Sequence, residues 1–113
     1  MDLKKLYGEL TVLCGSEIPI YTFLTYLDMG VRDFLCRYPK KLIMPHGEYV
    51  TPESLSDGLA LDDSFSLALV LYILGNLSGN AETVKKSDVA AEKAYISLWK
   101  AAAKGKRLAG VNW

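Results

Sequence analysis

Apolar residues return every three or four positions along most of this chain, and four stretches carry that helical period. In the first, Asp2 is placed to cap a helix whose stripe is Leu3, Leu6, Tyr7, Leu10 and Leu13, and Gly15 supplies a left-handed stop. In the second, Ile20, Phe23, Leu24, Leu27, Val31, Phe34, Leu35 and Tyr38 recur over five turns. Pro19 suits the first turn of that helix, and Pro39 ends it by disfavouring helical geometry in the residue before. The opposite face, with Thr22, Thr25, Asp28, Arg32 and Asp33, is expected to see water.

Residues 40–62 break the period. Leu42-Ile43-Met44 and Glu48-Tyr49-Val50 read as short extended segments flanking Pro45-His46-Gly47, with a third at Leu59-Ala60-Leu61, and Thr51-Pro52-Glu53-Ser54 suits a single helical turn. The expectation is a long loop or β-hairpin excursion, and long excursions in small domains carry function or local structure of their own. Asp62 or Asp63 then caps a third helix reaching about Leu77. Apolar residues surround it on nearly every side, which predicts burial in the centre of the domain or between subunits. Ser78-Gly79-Asn80 forms a turn, and Ala81 to Lys104 reads as a long helix with Val84, Ala91, Tyr95, Leu98 and Ala102 on one stripe. Its pattern is weak at Ser87 and Asp88, where a break or frayed start fits, and Gly105 is the expected end.

The fold class is therefore mainly α: a small bundle of about four helices, with the excursion between the second and third. Residues 1–105 form one domain with the insertion at 40–62, and 106–113 form a C-terminal tail. The tail holds Leu108, Val111 and Trp113 without a helical repeat. Two readings stand for it, folding back on its own core or docking into a neighbour, since Trp and Arg are favoured interface anchors.

Composition narrows the function classes. Of 113 residues half are apolar and 23% charged, enough to bury one core. Thirteen basic residues balance thirteen acidic ones, which removes the positive field of a stand-alone nucleic-acid binder and leaves little self-repulsion in an assembly. Cys14 and Cys36 lie inside helical patterns and read as buried reduced thiols, with a disulfide between them left open. No basic and apolar leader follows Met1, so the expected compartment is the cytoplasm. The longest apolar run, Leu67 to Leu74, is well short of the ~20 residues that span a bilayer.

Catalytic constellations are missing from the sequence. The single histidine, His46, has no metal-ligand spacing around it and no nucleophile-elbow motif to serve. The glycines form neither a phosphate loop nor a dinucleotide fingerprint. Asp62-Asp63 is explained by capping, and the lysine pairs Lys40-Lys41 and Lys85-Lys86 lack the interleaved aromatics of a nucleic-acid surface. The expectation is a non-enzymatic chain without cofactor or metal.

Two stretches resemble a known family. Tyr21-Thr22-Phe23-Leu24-Thr25-Tyr26-Leu27-Asp28, continuing through Val31-Arg32-Asp33-Phe34 to Arg37-Tyr38-Pro39, is similar to the early helix of tailed-phage head-tail connector proteins, also called adaptor or head-completion proteins. Leu59-Ala60-Leu61-Asp62-Asp63-Ser64-Phe65, then Ala68 to Leu74, Gly79-Asn80-Ala81-Glu82 and a last helix with Glu92-Lys93-Ala94-Tyr95, resembles the same family's later pattern. The resemblance covers roughly residues 17–104. It implies a virion structural protein, present in the host cytoplasm during assembly, that forms a ring of perhaps twelve copies below the portal. Its partners would be the portal protein, the next tail-side component and its own copies. DNA would pass through the lumen without sequence-specific binding. The contact candidates for that role are Lys40, Lys41, His46 and Tyr49 in the excursion and Arg107, Leu108, Val111 and Trp113 in the tail, since exposed loops and termini carry function. The rival expectation is a cytoplasmic helical interaction module, a small adaptor or regulatory dimer joined through the third helix.

Overall fold

The Asp2 carboxylate starts the first helix by accepting from the backbone N–H groups of Lys4 (3.0 Å) and Lys5 (3.3 Å), donors that lack partners within a first turn. In this computed structural model, which describes the backbone of residues 1–108 and the side chains as far as 104, α1 spans Leu3–Cys14. Gly15 ends it at φ 70°, a conformation in which a Cβ would clash. Leu3, Leu6 and Leu10 are buried, but Leu13 is exposed; Cys14, four residues after Leu10, continues the inward stripe.

Helix α2 spans Ile20–Arg37 and buries Phe23, Leu27, Val31 and Phe34, while Ile20 faces solvent at its first turn. Pro39 ends α2 as expected and also begins a second element. Its fixed φ, here −60°, suits an entry residue, and Lys40–Ile43 winds into the single turn of α3. The excursion is thus no hairpin: among the described residues there is no β-strand. Leu42-Ile43-Met44 reads as extended because it is apolar, yet its role is to drive Ile43 and Met44 into the core through that turn. A backbone bond from the Asp62 N–H to the Ile43 carbonyl (2.8 Å) closes the far end of the excursion. Near Thr51-Pro52-Glu53-Ser54 the chain makes a bend rather than a helical turn, with the Asp57 carboxylate accepting from the Glu53 and Ser54 N–H groups.

Asp62 caps a 3₁₀ turn, Asp63–Phe65, by accepting from the Ser64 N–H, and α4 follows directly as Ser66–Ser78. Gly79, at φ 64°, ends α4, and Asn80 caps α5 by accepting from the Glu82 and Thr83 N–H groups. Helix α5 spans Ala81–Leu108, so Gly105 is not its end; a glycine costs a helix only about 1 kcal/mol, and Lys104, Lys106 and Arg107 are good helix formers. Among the described residues the α-helices number five, counting the single turn of α3, where about four are expected.

Ser87 explains why the last helix is continuous where its pattern is weak. Its side chain is fully buried against α4, and its hydroxyl donates to the Ala68 carbonyl at 2.8 Å, so a polar position serves as a core position. Small residues set the helix spacing: a Cβ at Gly75 would meet the Val84 backbone nitrogen at 2.9 Å, and one at Gly30 would meet the Leu69 and Tyr72 side chains at 2.9 Å. Aromatic rings tie α2 to α4 and α5. Phe34 lies 5.5 Å from Phe65 and 6.2 Å from Tyr72 between ring centroids, and Tyr38 stacks on Tyr95 at 4.8 Å. At the rim, Arg37 pairs with Asp33 and Asp88, and the Tyr38 hydroxyl donates to Glu92.

Candidate functional site

Among the described residues α4 is packed by α2 and α5 and flanked by α1, and one strip of it stays exposed. Ala68, Leu69, Val70 and Ile73 are buried, with Leu69 against Gly30 of α2 and the Ala68 carbonyl against Ser87 of α5. On the other side Leu67 stands 61% exposed, and Leu71, Leu74 and Leu77, which follow at spacings of four, three and three, are half-buried. The expected central burial holds for Ala68, Leu69, Val70 and Ile73, and among the described residues Leu67 is left exposed. Leu67 forms a ridge between two grooves. One, toward α1, is lined by Glu9, Val12 (80% exposed), Leu13 (58%) and Val70. The other, toward α5, is lined by Leu71, Val89 (55%), Ala90 and three lysines, Lys85, Lys86 and Lys93. Large exposed apolar side chains are ordinary singly; here Val12, Leu13, Leu67 and Val89 form a continuous exposed set across three helices.

The second organised feature straps the excursion to α2. The Tyr49 hydroxyl donates to Asp28, whose carboxylate also accepts from Arg32 Nε (3.0 and 3.1 Å) and the Thr51 hydroxyl (3.2 Å). The Arg32 guanidinium lies 5.5 Å from the Tyr49 ring centroid. Asp28 is therefore not simply on a wet face: Tyr49 and Thr51 cover it. Burial alone would raise its pKa, but the hydrogen bonds from Tyr49, Arg32 and Thr51 outweigh that and hold it below the ordinary 3.8. Burial first, and the bond to Asp28 second, push the Tyr49 phenol well above the usual tyrosine range.

Linkage then fixes the pH window of the strap. A depressed carboxylate stabilises the fold above its unfolded pKa and loses that contribution as pH falls through its folded value; a raised phenol contributes below its unfolded value near 10 and is lost as pH climbs. The strap is expected to hold from about pH 4 to 10. In a spectroscopic titration at 295 nm the last phenol to ionise should be Tyr49, and Tyr49→Phe should remove that limb and destabilise the protein by about 1–2 kcal/mol. An unchanged alkaline limb in the variant would assign the late phenol elsewhere.

The sequence-derived contact candidates fall into separate places. Lys40 pairs with Glu48 within the excursion, Lys41 is exposed on α3, and His46 is exposed in the Met44–Gly47 turn. Tyr49 is half-buried and engaged with Asp28. Arg107 and Leu108 belong to the last turn of α5, their side chains outside the described part, and Val111 and Trp113 lie outside the described residues. Cys14 and Cys36 are both free; Cys36 is exposed rather than buried, because it sits two residues off the Phe34 stripe. Sequence reasoning missed Val12, Leu13 and Val89 as surface groups. Val12 and Val89 lie beside stripes already filled by other apolar residues, and Leu13, read as part of the α1 stripe, falls at its last turn where Cys14 takes the inward place.

Among the described residues no group of three or more His, Cys, Asp or Glu side chains is placed to hold a metal ion, and no helix is long and apolar enough to cross a membrane. The chain matches no protein-family model, no curated protein and no solved structure. The class that the described residues define is a small, mainly α bundle of five helices.

Proposed function

We propose that this chain is a helical protein–protein interaction module that binds through the outer face of α4 and performs no chemistry of its own. The observation that supports this reading is the exposed ridge of Leu67 with apolar grooves on both flanks. An amphipathic helix needs one apolar stripe to hold its fold, so the second stripe on α4 is surplus to folding and suits a partner.

The test places a photo-crosslinking side chain at Leu67 and, separately, at Lys41 and His46 in the excursion. Adducts are expected from position 67. Adducts from 41 or 46 with none from 67 would move the contact to the excursion and overturn the α4 reading. Leu67 is largely exposed, so changing it leaves the core intact.

A second reading keeps the resemblance to head-tail connectors. What favours it is the order of α2, a non-helical segment at Leu59-Ala60-Leu61, the Asp62 cap, an apolar α4, the Gly79-Asn80 turn and an α5 with a central Tyr95. In that setting the α4 face would join neighbouring subunits of a ring beneath a portal, and the excursion and tail would meet the portal and the tail-side component. Particle size separates the two readings: a ring, alone or on portal particles, argues for the connector, and a stable dimer indifferent to portal protein argues against it.

A further inference from the structure

The two grooves beside Leu67 carry opposite charge. The α1 edge presents Glu9 beside Val12 and Leu13. The α5 edge presents Lys85, Lys86 and Lys93 around Val89, with one carboxylate, Glu82, 3.8 Å from Lys85. Helix directions put these groups at matching heights. α1 runs alongside α4 in the same sense, with residues 8–13 beside 66–70 and residues 13–18 beside 74–78. α5 returns through the Gly79-Asn80 turn in the opposite sense, so Val84 lies beside Gly75 while Lys93 and Ala94 come back to Ser64 and Leu67. Glu9 and Lys93 therefore flank the Leu67 ridge on opposite sides near one level.

We propose that a second copy of this chain covers the outer face of α4, related by a two-fold axis parallel to that helix. The inference rests on α4 being the contact face and adds the occupant and its orientation. The rotation exchanges the two edges, so the α1 edge of each copy lies over the α5 edge of the other. It sets Glu9 against Lys93 and Val12 and Leu13 against Val89, and it carries Glu17 toward Lys85 and Lys86. Each pairing occurs twice, as an isologous interface requires. A two-fold axis across α4 would instead lay the lysine edge on its own copy, and like charges face to face are unfavourable. The balance of thirteen basic and thirteen acidic residues leaves no net repulsion between copies.

Sedimentation of the full chain over a range of concentrations is expected to show a monomer–dimer equilibrium. Glu9→Lys and Lys93→Glu should each weaken it about five- to tenfold, and the double reversal should restore it. Orientation is read by disulfide trapping, with Cys14 and Cys36 replaced by serine and Val12→Cys mixed with Val89→Cys. Trapped heterodimers are expected. Homodimers of each variant alone would overturn the parallel axis while leaving the α4 face standing. A chain that sediments as monomer at every concentration would overturn the second copy as occupant, and the crosslinks from position 67 would still judge the face by itself.

Discussion

Replacing Phe34 by alanine is expected to lower the free energy of unfolding by about 3–5 kcal/mol. Phe34 is fully buried, and its ring lies between Phe65 at 5.5 Å and Tyr72 at 6.2 Å, with the Arg37 guanidinium 5.3 Å from its centroid. Truncation removes the transfer free energy of the ring and leaves a cavity where α2, the 3₁₀ turn and α4 meet. Those elements cannot close over the gap, because Gly30 already brings α2 and α4 to contact one turn away. Small domains are stable by only about 5–15 kcal/mol, so the variant should be partly unfolded at modest urea concentrations. Urea titration followed by far-UV circular dichroism measures the shift. A loss below about 1 kcal/mol would mean that the aromatic cluster is not the junction of the bundle.

The second large effect is a contrast between two identical substitutions. Gly75→Ala is expected to destabilise by about 2 kcal/mol and Gly30→Ala by less than about 1 kcal/mol, although both add one methyl group to a helix. In each case the alanine gains about 1 kcal/mol of helix propensity. The difference lies in what the new Cβ meets. At Gly75 it meets the Val84 backbone nitrogen at 2.9 Å and the Thr83 carbonyl carbon at 3.3 Å, so α5 itself must shift. At Gly30 the neighbours are the ends of the Leu69 and Tyr72 side chains, which can rotate away. With about 4–8 °C of melting temperature per kcal/mol in a domain of this size, the two variants should separate clearly in a thermal scan. Equal melting temperatures would show that α5 yields as easily as a side chain.

The caps Asp2, Gly15, Gly79 and Asn80 act on the nearest few residues, so their chemistry reads directly from the string. The stripes of α1, α2 and α5 are local as well, and they held apart from Leu13 and Ile20, where an apolar residue happens to fall at an end with nothing above it. Residues 40–62 were misread because their structure comes from distant partners. Ile43 and Met44 are drawn into the core, and Tyr49 and Thr51 reach back to Asp28, 21 and 23 residues earlier. No short window contains both ends of such a bond.

The candidate site divides in the same way. An all-round apolar α4 was visible in the sequence, together with the alternatives of burial within the domain or against a partner. Helical content, the absence of a catalytic motif and the surplus of apolar residues on α4 were determined by the sequence itself, because each depends on composition and period alone. Which strip of α4 is left exposed among the described residues, and that a groove holding Glu9 and a groove holding three lysines flank it, only the tertiary structure decided. Glu9 and Lys93 are remote in sequence and come to one ridge because α1 and α5 pack against opposite flanks of the same helix.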